Sequence, residues 1–178
     1  DWSSDVCSSD LVKIAGFMPG VSSPGGPSHQ AIDDLTQMRA LPNMTVFDLS
    51  DASEISQAVA VAADIAGPVY LRLKRGEIPV IFGEDHVFDG RRAQVLCRGT
   101  DVCLVASGMM VPAALAAAEV LESAGLALTV VNSPVVKPLD GTTIIEAARA
   151  THLVITAENH SVVGGLGSAV AEAMAEAG

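Results

Sequence analysis

The sequence predicts an α/β fold of two consecutive βα-alternating domains with mostly parallel sheets. Three observations predict it. Short apolar, β-branched runs alternate with helical periods along nearly the whole chain. A glycine-rich, mixed-charge stretch over 76–99 interrupts the alternation, which then resumes. The core must be aliphatic, because 49% of the 178 residues are hydrophobic and only 3% aromatic.

Each element has a local reason. Residues 1–11, DWSSDVCSSDL, are Ser/Asp-rich without a period; they read as a translated adapter or cloning scar and are expected to be poorly ordered. Together with the lack of an initiator Met, they suggest a fragment. Val12–Ala15 is a strand candidate, and Pro24-Gly25-Gly26-Pro27 forces a tight loop. A helix is expected over Ser28–Ala40, with Ser28 as N-cap and Ile32, Leu35 and Met38 on one face. Pro42 stops it, and Thr45–Leu49 reads as a buried strand. Asp51-Ala52-Ser53-Glu54 has capping-box character and opens a helix to about Ile65. Gly67-Pro68 turns the chain into a strand over Val69–Leu73.

Residues 83–98 read as a linker, with a short strand or hairpin expected around Val80–Phe88. The second domain, 99–178, follows with strands Val102–Ala106, Leu126–Val131 and Leu153–Ala157. Its helices are Val111–Ala124, Gly141–Ala150 and Ser168–Ala177, and Pro134–Leu139 is read as irregular.

Composition excludes several functions. A net charge of −11 without a basic patch argues against nucleic-acid binding. An anionic substrate stays open, since a few arginines outweigh the global charge locally. Three cysteines without a CxxC pair support neither a disulfide framework nor a zinc site. No apolar run approaches the length of a membrane span and no signal peptide is visible, so no membrane role and a cytoplasmic location are expected.

The candidate site residues lie at strand ends and loops. His29 sits on the stiff loop, where an imidazole serves proton transfer or substrate binding; an ordinary surface histidine is the plainer reading. Arg75 ends the Val69–Leu73 strand region before Gly76, where ligands bind in open α/β sheets and a planar fork suits phosphate; a solvated basic strand end is an equal reading. Alternation puts Arg72 and Lys74 on the opposite face from Arg75. Glu158 and His160 offer an acid/base pair beside Gly164, Gly165 and Gly167, although packing explains that stretch better. Ser107 and Ser161 lack a G-x-S-x-G elbow, and His86 and His152 lack metal-ligand spacing.

The run GGPSHQAIDDLTQMRALPNMTVFDLSDASE, followed by GPVYLRLKRGEIP, resembles the thiamine-diphosphate-binding pyrimidine domain of transketolases. LVASGMMVPAALAAAEVLESAGLALTVVNSPVVKPLD and AENHSVVGGLGSAVAEA resemble the transketolase C-terminal domain. The resemblance implies a partial pyrimidine domain over 12–82 and a truncated C-terminal domain over 99–178. It implies a ketol transferase of carbohydrate (pentose phosphate) metabolism, in which a ketose phosphate breaks between C2 and C3 and its two-carbon unit passes to an aldose phosphate. His29 matches the histidine beside the cofactor thiazolium and the reacting end of the donor sugar, and Arg75 matches the arginine that binds the sugar phosphate. Gly25 stands where family members often carry an Asp that contacts a substrate hydroxyl.

Thiamine diphosphate and Mg2+ are the implied cofactors of the complete assembly. The family's cofactor-activating glutamate and ring-stacking aromatic belong upstream of Val12, and the diphosphate-binding domain belongs elsewhere, so no cofactor-binding residue is expected in this chain and the chain alone is expected to be inactive. Implied partners are a sugar phosphate and either a homodimer mate or a subunit carrying the diphosphate domain. Deoxyxylulose-phosphate synthase and the 2-oxoacid dehydrogenase beta subunit share the domain order and stand as alternatives, as does a non-catalytic assembly or regulatory role. The Ser28-His29-Gln30 context and Arg39-Ala40-Leu41-Pro42 favour transketolase.

Overall fold

The computed structural model describes residues 11–74 and 77–178, so the expectation for residues 1–10 falls outside it. In chain order the elements are β1 (Lys13–Phe17), a 3-10 turn at Pro27–His29, α1 (Asp34–Ala40), β2 (Thr45–Asp48), α2 (Ala52–Asp64) and β3 (Val69–Leu73). Then come β4 (Gln94–Cys97), β5 (Val102–Ala106), α3 (Met110–Ser123), β6 (Leu128–Asn132), β7 (Val135–Lys137), α4 (Gly141–Arg149), β8 (Leu153–Ala157) and α5 (Leu166–Ala177).

They build two four-stranded sheets, in the orders β1-β3-β2-β7 and β4-β6-β5-β8. Within each sheet three strands run parallel and one edge strand is antiparallel, as the alternation of strand and helix demands. Helices pack on both faces of each sheet, and the edge strands β1 and β8 leave Phe17, Leu153 and Ile155 exposed. Phe47, Leu71 and Val135 pack with Ala58 and Ala62 of α2, while Val46, Tyr70 and Val136 pack with Leu35 of α1. In the second sheet Val105 and Val131 meet Ile144 and Leu166, and Leu104 and Val130 meet Val111 and Ala114.

Two local expectations fail for identifiable reasons. The helix expected over Ser28–Ala40 begins only at Asp34, with Asp33 as its N-cap. Gln30 leaves the helical region at φ −116°, ψ 69°, and its side chain donates to Val21 O and Ser23 O across the loop. His29 therefore closes a 3-10 turn rather than opening an α-helix, and it has no helix-dipole environment. The expected strand or hairpin around Val80–Phe88 is not formed. That segment lies along α2 instead: Asp51 caps Glu54 N with Oδ1 and accepts Ile81 N and Phe82 N with Oδ2. The run Pro134–Leu139, read as irregular, contains β7, which crosses to the first sheet and pairs with β2. Within the stretch read as linker, residues 94–97 form β4.

The carboxyl ends of the parallel strands from both sheets face each other. Gly108 N donates to Asp48 O at 3.0 Å, and Ser107 Oγ to Asp48 Oδ2 at 2.7 Å. Beside them Glu54 accepts Ser50 N at 2.7 Å and Asn132 Nδ2 at 2.9 Å. Burial pushes the Glu54 carboxyl up to about 7, against the Ser50 and Asn132 hydrogen bonds, which pull it down. The folded protein thus holds this proton more tightly than the unfolded chain does. Its contribution to stability is complete below pH 4.5 and is lost as pH rises through about 7. Urea unfolding of the full-length protein is expected to show that decline, and Glu54→Gln to flatten it; superimposable pH profiles for the two proteins would contradict the assignment.

Candidate functional site

Period-two geometry on β3 sends Tyr70, Arg72 and Lys74 to the face covered by α1. Register places Arg72 opposite Asp48 of β2. Arg72 is 0% exposed, which an arginine tolerates only with full pairing. Its guanidinium grips Asp34 by two nitrogens, at 2.7 and 3.2 Å, and reaches Asp48 Oδ1 at 3.5 Å. A further bond of 2.9 Å goes to Asn159 O, in the second half of the chain. Tyr70 OH donates to the same Asp34 carboxylate at 2.8 Å. Lys74 Nζ lies 2.6 Å from Asp48 Oδ1, an ion pair whose angle misses hydrogen-bond geometry.

Two cations and two carboxylates thus share a largely buried compartment, and their formal charges balance. Burial alone would raise Asp48, but Lys74 and Arg72 overcome it and hold the carboxyl at about 2. Burial pulls the Lys74 ammonium down, with Asp48 opposing, whereas Asp48 and Asp34 outweigh burial at Arg72 and raise it. Tyr70 is pushed up by burial and by Asp34, so it stays a donor. This network joins β2, β3, α1 and the β8–α5 loop.

Glu158 and His160 do not form an acid/base pair, since His160 Nδ1 is 3.8 Å from Glu158 Oε2. Glu158 instead accepts Leu166 N at 2.7 Å and Gly167 N at 2.9 Å. An internal carboxylate thereby fills the start of α5, and a Cβ on Gly165 would overlap it. The glycine loop accordingly does not fit a diphosphate. His160 Nε2 accepts Leu35 N at 3.2 Å, which puts the ring proton on Nδ1, 2.6 Å from Ser161 O. The imidazole thus caps α1 from the second half. Ser107 is buried on Asp48 rather than poised as a nucleophile.

The carboxyl end of β1 differs, because it opens to solvent with Phe17 70% exposed. A cavity of about 250 Å³ lies there, lined by Phe17, Met18, Pro19, Ser23, Pro24, Ser28, His29 and Ala31. Ser28 Oγ stands 2.9 Å from His29 Nδ1, and Nε2 has no hydrogen-bond partner among the described residues. Gly25 and Gly26 adopt φ of +129° and +75°. A Cβ on Gly25 would stand 3.2 Å from His29 Cγ, so the bare backbone packs against the ring.

The structure therefore places His29 at this cavity and packs Gly25 against its ring. Arg75 and Gly76 lie outside the described residues. No group of three His, Cys, Asp or Glu side chains among the described residues is placed to hold a metal. Sequence reasoning missed Asp34, Asp48 and Asn159 and left Arg72 unassigned. The available signal was Arg72 inside an apolar strand with Lys74 just past its end, because buried cations need buried acceptors.

Comparison with known proteins agrees with this fold. Residues 12–80 match the transketolase pyrimidine-binding domain, and residues 91–178 match the transketolase C-terminal domain. The chain is 46% identical over 162 residues to an uncharacterised transketolase-family protein of Sinorhizobium fredii, covering 90% of this chain and 47% of that protein. It is 40% identical to a 6-deoxy-6-sulfo-D-fructose transketolase subunit of a Clostridium species, covering 93% and 52% respectively. A 1-deoxy-D-xylulose-5-phosphate synthase of Geobacter sulfurreducens is 38% identical, over 98% of this chain and 28% of that protein. A solved split-gene transketolase, described as an inactive β4 tetramer, superposes with a TM-score of 0.86 at 50% identity, over 93% of this chain and 54% of its own. The chain thus spans about half the length of the first two relatives.

Proposed function

The chain belongs to the transketolase family, and on that premise we propose that it is part of a two-carbon ketol transferase acting from a ketose phosphate to an aldose phosphate. The seating of His29 carries this reading: a histidine held by Ser28 at the rim of a cavity, on a loop where Gly25 lets the backbone pack against the ring. Nε2 is the nitrogen we assign to the donor sugar, where it donates to oxygen as charge develops and carries protons. Gly25 takes part through its backbone, because a side chain there would crowd the His29 ring. Arg75 we assign to the substrate phosphate.

Thiamine diphosphate, when bound, supplies the carbanion stabilisation that C2–C3 cleavage needs. We assign the diphosphate and its Mg2+ to a separate domain, because Glu158 already fills the glycine-rich helix start. The split-gene neighbour and the subunit-named relative support a partner chain carrying that domain. We divide the chain into a partial pyrimidine domain over 12–82, a linker over 83–98 and a C-terminal domain over 99–178, and place the enzyme in the cytoplasm, where three cysteines without a pairing pattern are at home.

The test uses the full-length protein with its partner subunit, thiamine diphosphate and Mg2+. Fructose 6-phosphate and glyceraldehyde 3-phosphate should yield erythrose 4-phosphate and xylulose 5-phosphate. Condensation of pyruvate with glyceraldehyde 3-phosphate would instead favour the synthase reading, which the Geobacter relative supports. Cofactor binding without turnover of either donor would leave an assembly role.

A further inference from the structure

We propose that Asn159 is the positioning residue of the His29 loop, so that the second half of the chain sets the geometry of a site carried by the first. The inference rests on the role assigned to His29 above. Asn159 is 3% exposed, and both ends of its carboxamide hold the loop after β1. Oδ1 accepts Val21 N at 3.0 Å. Nδ2 donates to Ser22 Oγ at 2.8 Å and more weakly to Pro19 O at 3.4 Å, and it lies 3.1 Å from Met109 Sδ.

The grip is close because Gly20 has no side chain. Its φ is +93°, and a Cβ there would overlap the Asn159 carboxamide. Beneath the residue, its carbonyl is anchored by Arg72 at 2.9 Å, so the carboxamide stands on the ion network. From Val21 the hold passes to the histidine. Gln30, next to His29, donates to Val21 O at 2.9 Å and to Ser23 O at 3.0 Å. Gly20 N donates to Ala31 O at 2.7 Å, closing the loop two residues after the imidazole. The amide geometry of Asn fits this place: it supplies one acceptor and two donors without a charge that would unbalance the neutral network.

The test is Asn159→Ala in the assembled holoenzyme, with two readouts. Hydrogen exchange at the Val21 amide should quicken at least about tenfold, while amides of β3 and β5 keep their protection; this readout needs no activity. With fructose 6-phosphate as donor, kcat should fall about a hundredfold, the order of loss that a misplaced reacting group produces. The loss should vanish in a His29→Ala background, because a residue acting through His29 has nothing left to position. Val21 protection equal to wild type, or kcat losses that multiply in the double variant, would overturn the proposal. An inactive wild type with the expected exchange change would count against the ketol-transferase reading and keep the positioning contact. Should Asn159→Ala fail to fold, Gly20→Ala displaces the same contact from the loop side and must give the same exchange and the same non-additivity; multiplying losses would again overturn the proposal.

Discussion

Arg72→Met is expected to cost about 3–5 kcal/mol of stability, the range for breaking a buried pair by removing one partner. The loss comes less from missing attraction than from what stays behind. Asp34 loses two charge-assisted bonds, and Asp48 keeps Lys74 as its cation. The carbonyl of Asn159 loses its donor as well. Arg72→Lys should recover little, because one ammonium cannot span Asp34, Asp48 and Asn159 O together. Urea unfolding of the full-length protein measures this directly. A loss below about 1 kcal/mol would show that the compartment admits water and that the network is an ordinary surface one. Acid adds a second signature. Asp48 is held at about 2 when folded against an ordinary 3.8, so its contribution is present above pH 3.8 and is lost as pH falls through about 2.

His29→Ala is expected to lower kcat of the assembled enzyme by about 10²–10⁴, the usual span for a positioned acid/base group. Stability should barely change, because the ring is exposed and, among the described residues, its one side-chain bond is to the neighbouring Ser28. That contrast separates His29 from Arg72: one variant loses turnover while folding normally, and the other loses stability. His29→Asn should recover part of the rate if donation to a substrate oxygen dominates, and none if proton transfer does. A fall in kcat under tenfold would return His29 to an unremarkable loop position.

Local signals were sufficient where neighbours in sequence decide the outcome. Thr45–Leu49, Val69–Leu73, Val102–Ala106 and Leu153–Ala157 carry the β-branched and apolar runs of buried strands, and strands form there. Asp51 was legible as a cap because its partner, Glu54 N, is three residues away. The Ser28 helix was misread because Gln30 is claimed by Val21 and Ser23, contacts that no helical period reveals. β7 escaped notice because a three-residue strand has little pattern of its own and is made by pairing with β2.

The sequence by itself determined the α/β alternation, the aliphatic core and the loop bearing His29, since propensity, period and turn chemistry act over a few residues. Only the tertiary structure decided what the buried polar residues do. It took Glu158 for a helix start, set His160 under α1, paired Arg72 with Asp34 and Asp48, and closed Asn159 on the loop. Those partners lie from 8 to 138 positions apart along the chain. Burial forces each polar group to find a partner, but sequence does not say which one, because that depends on where folding brings the strand ends together.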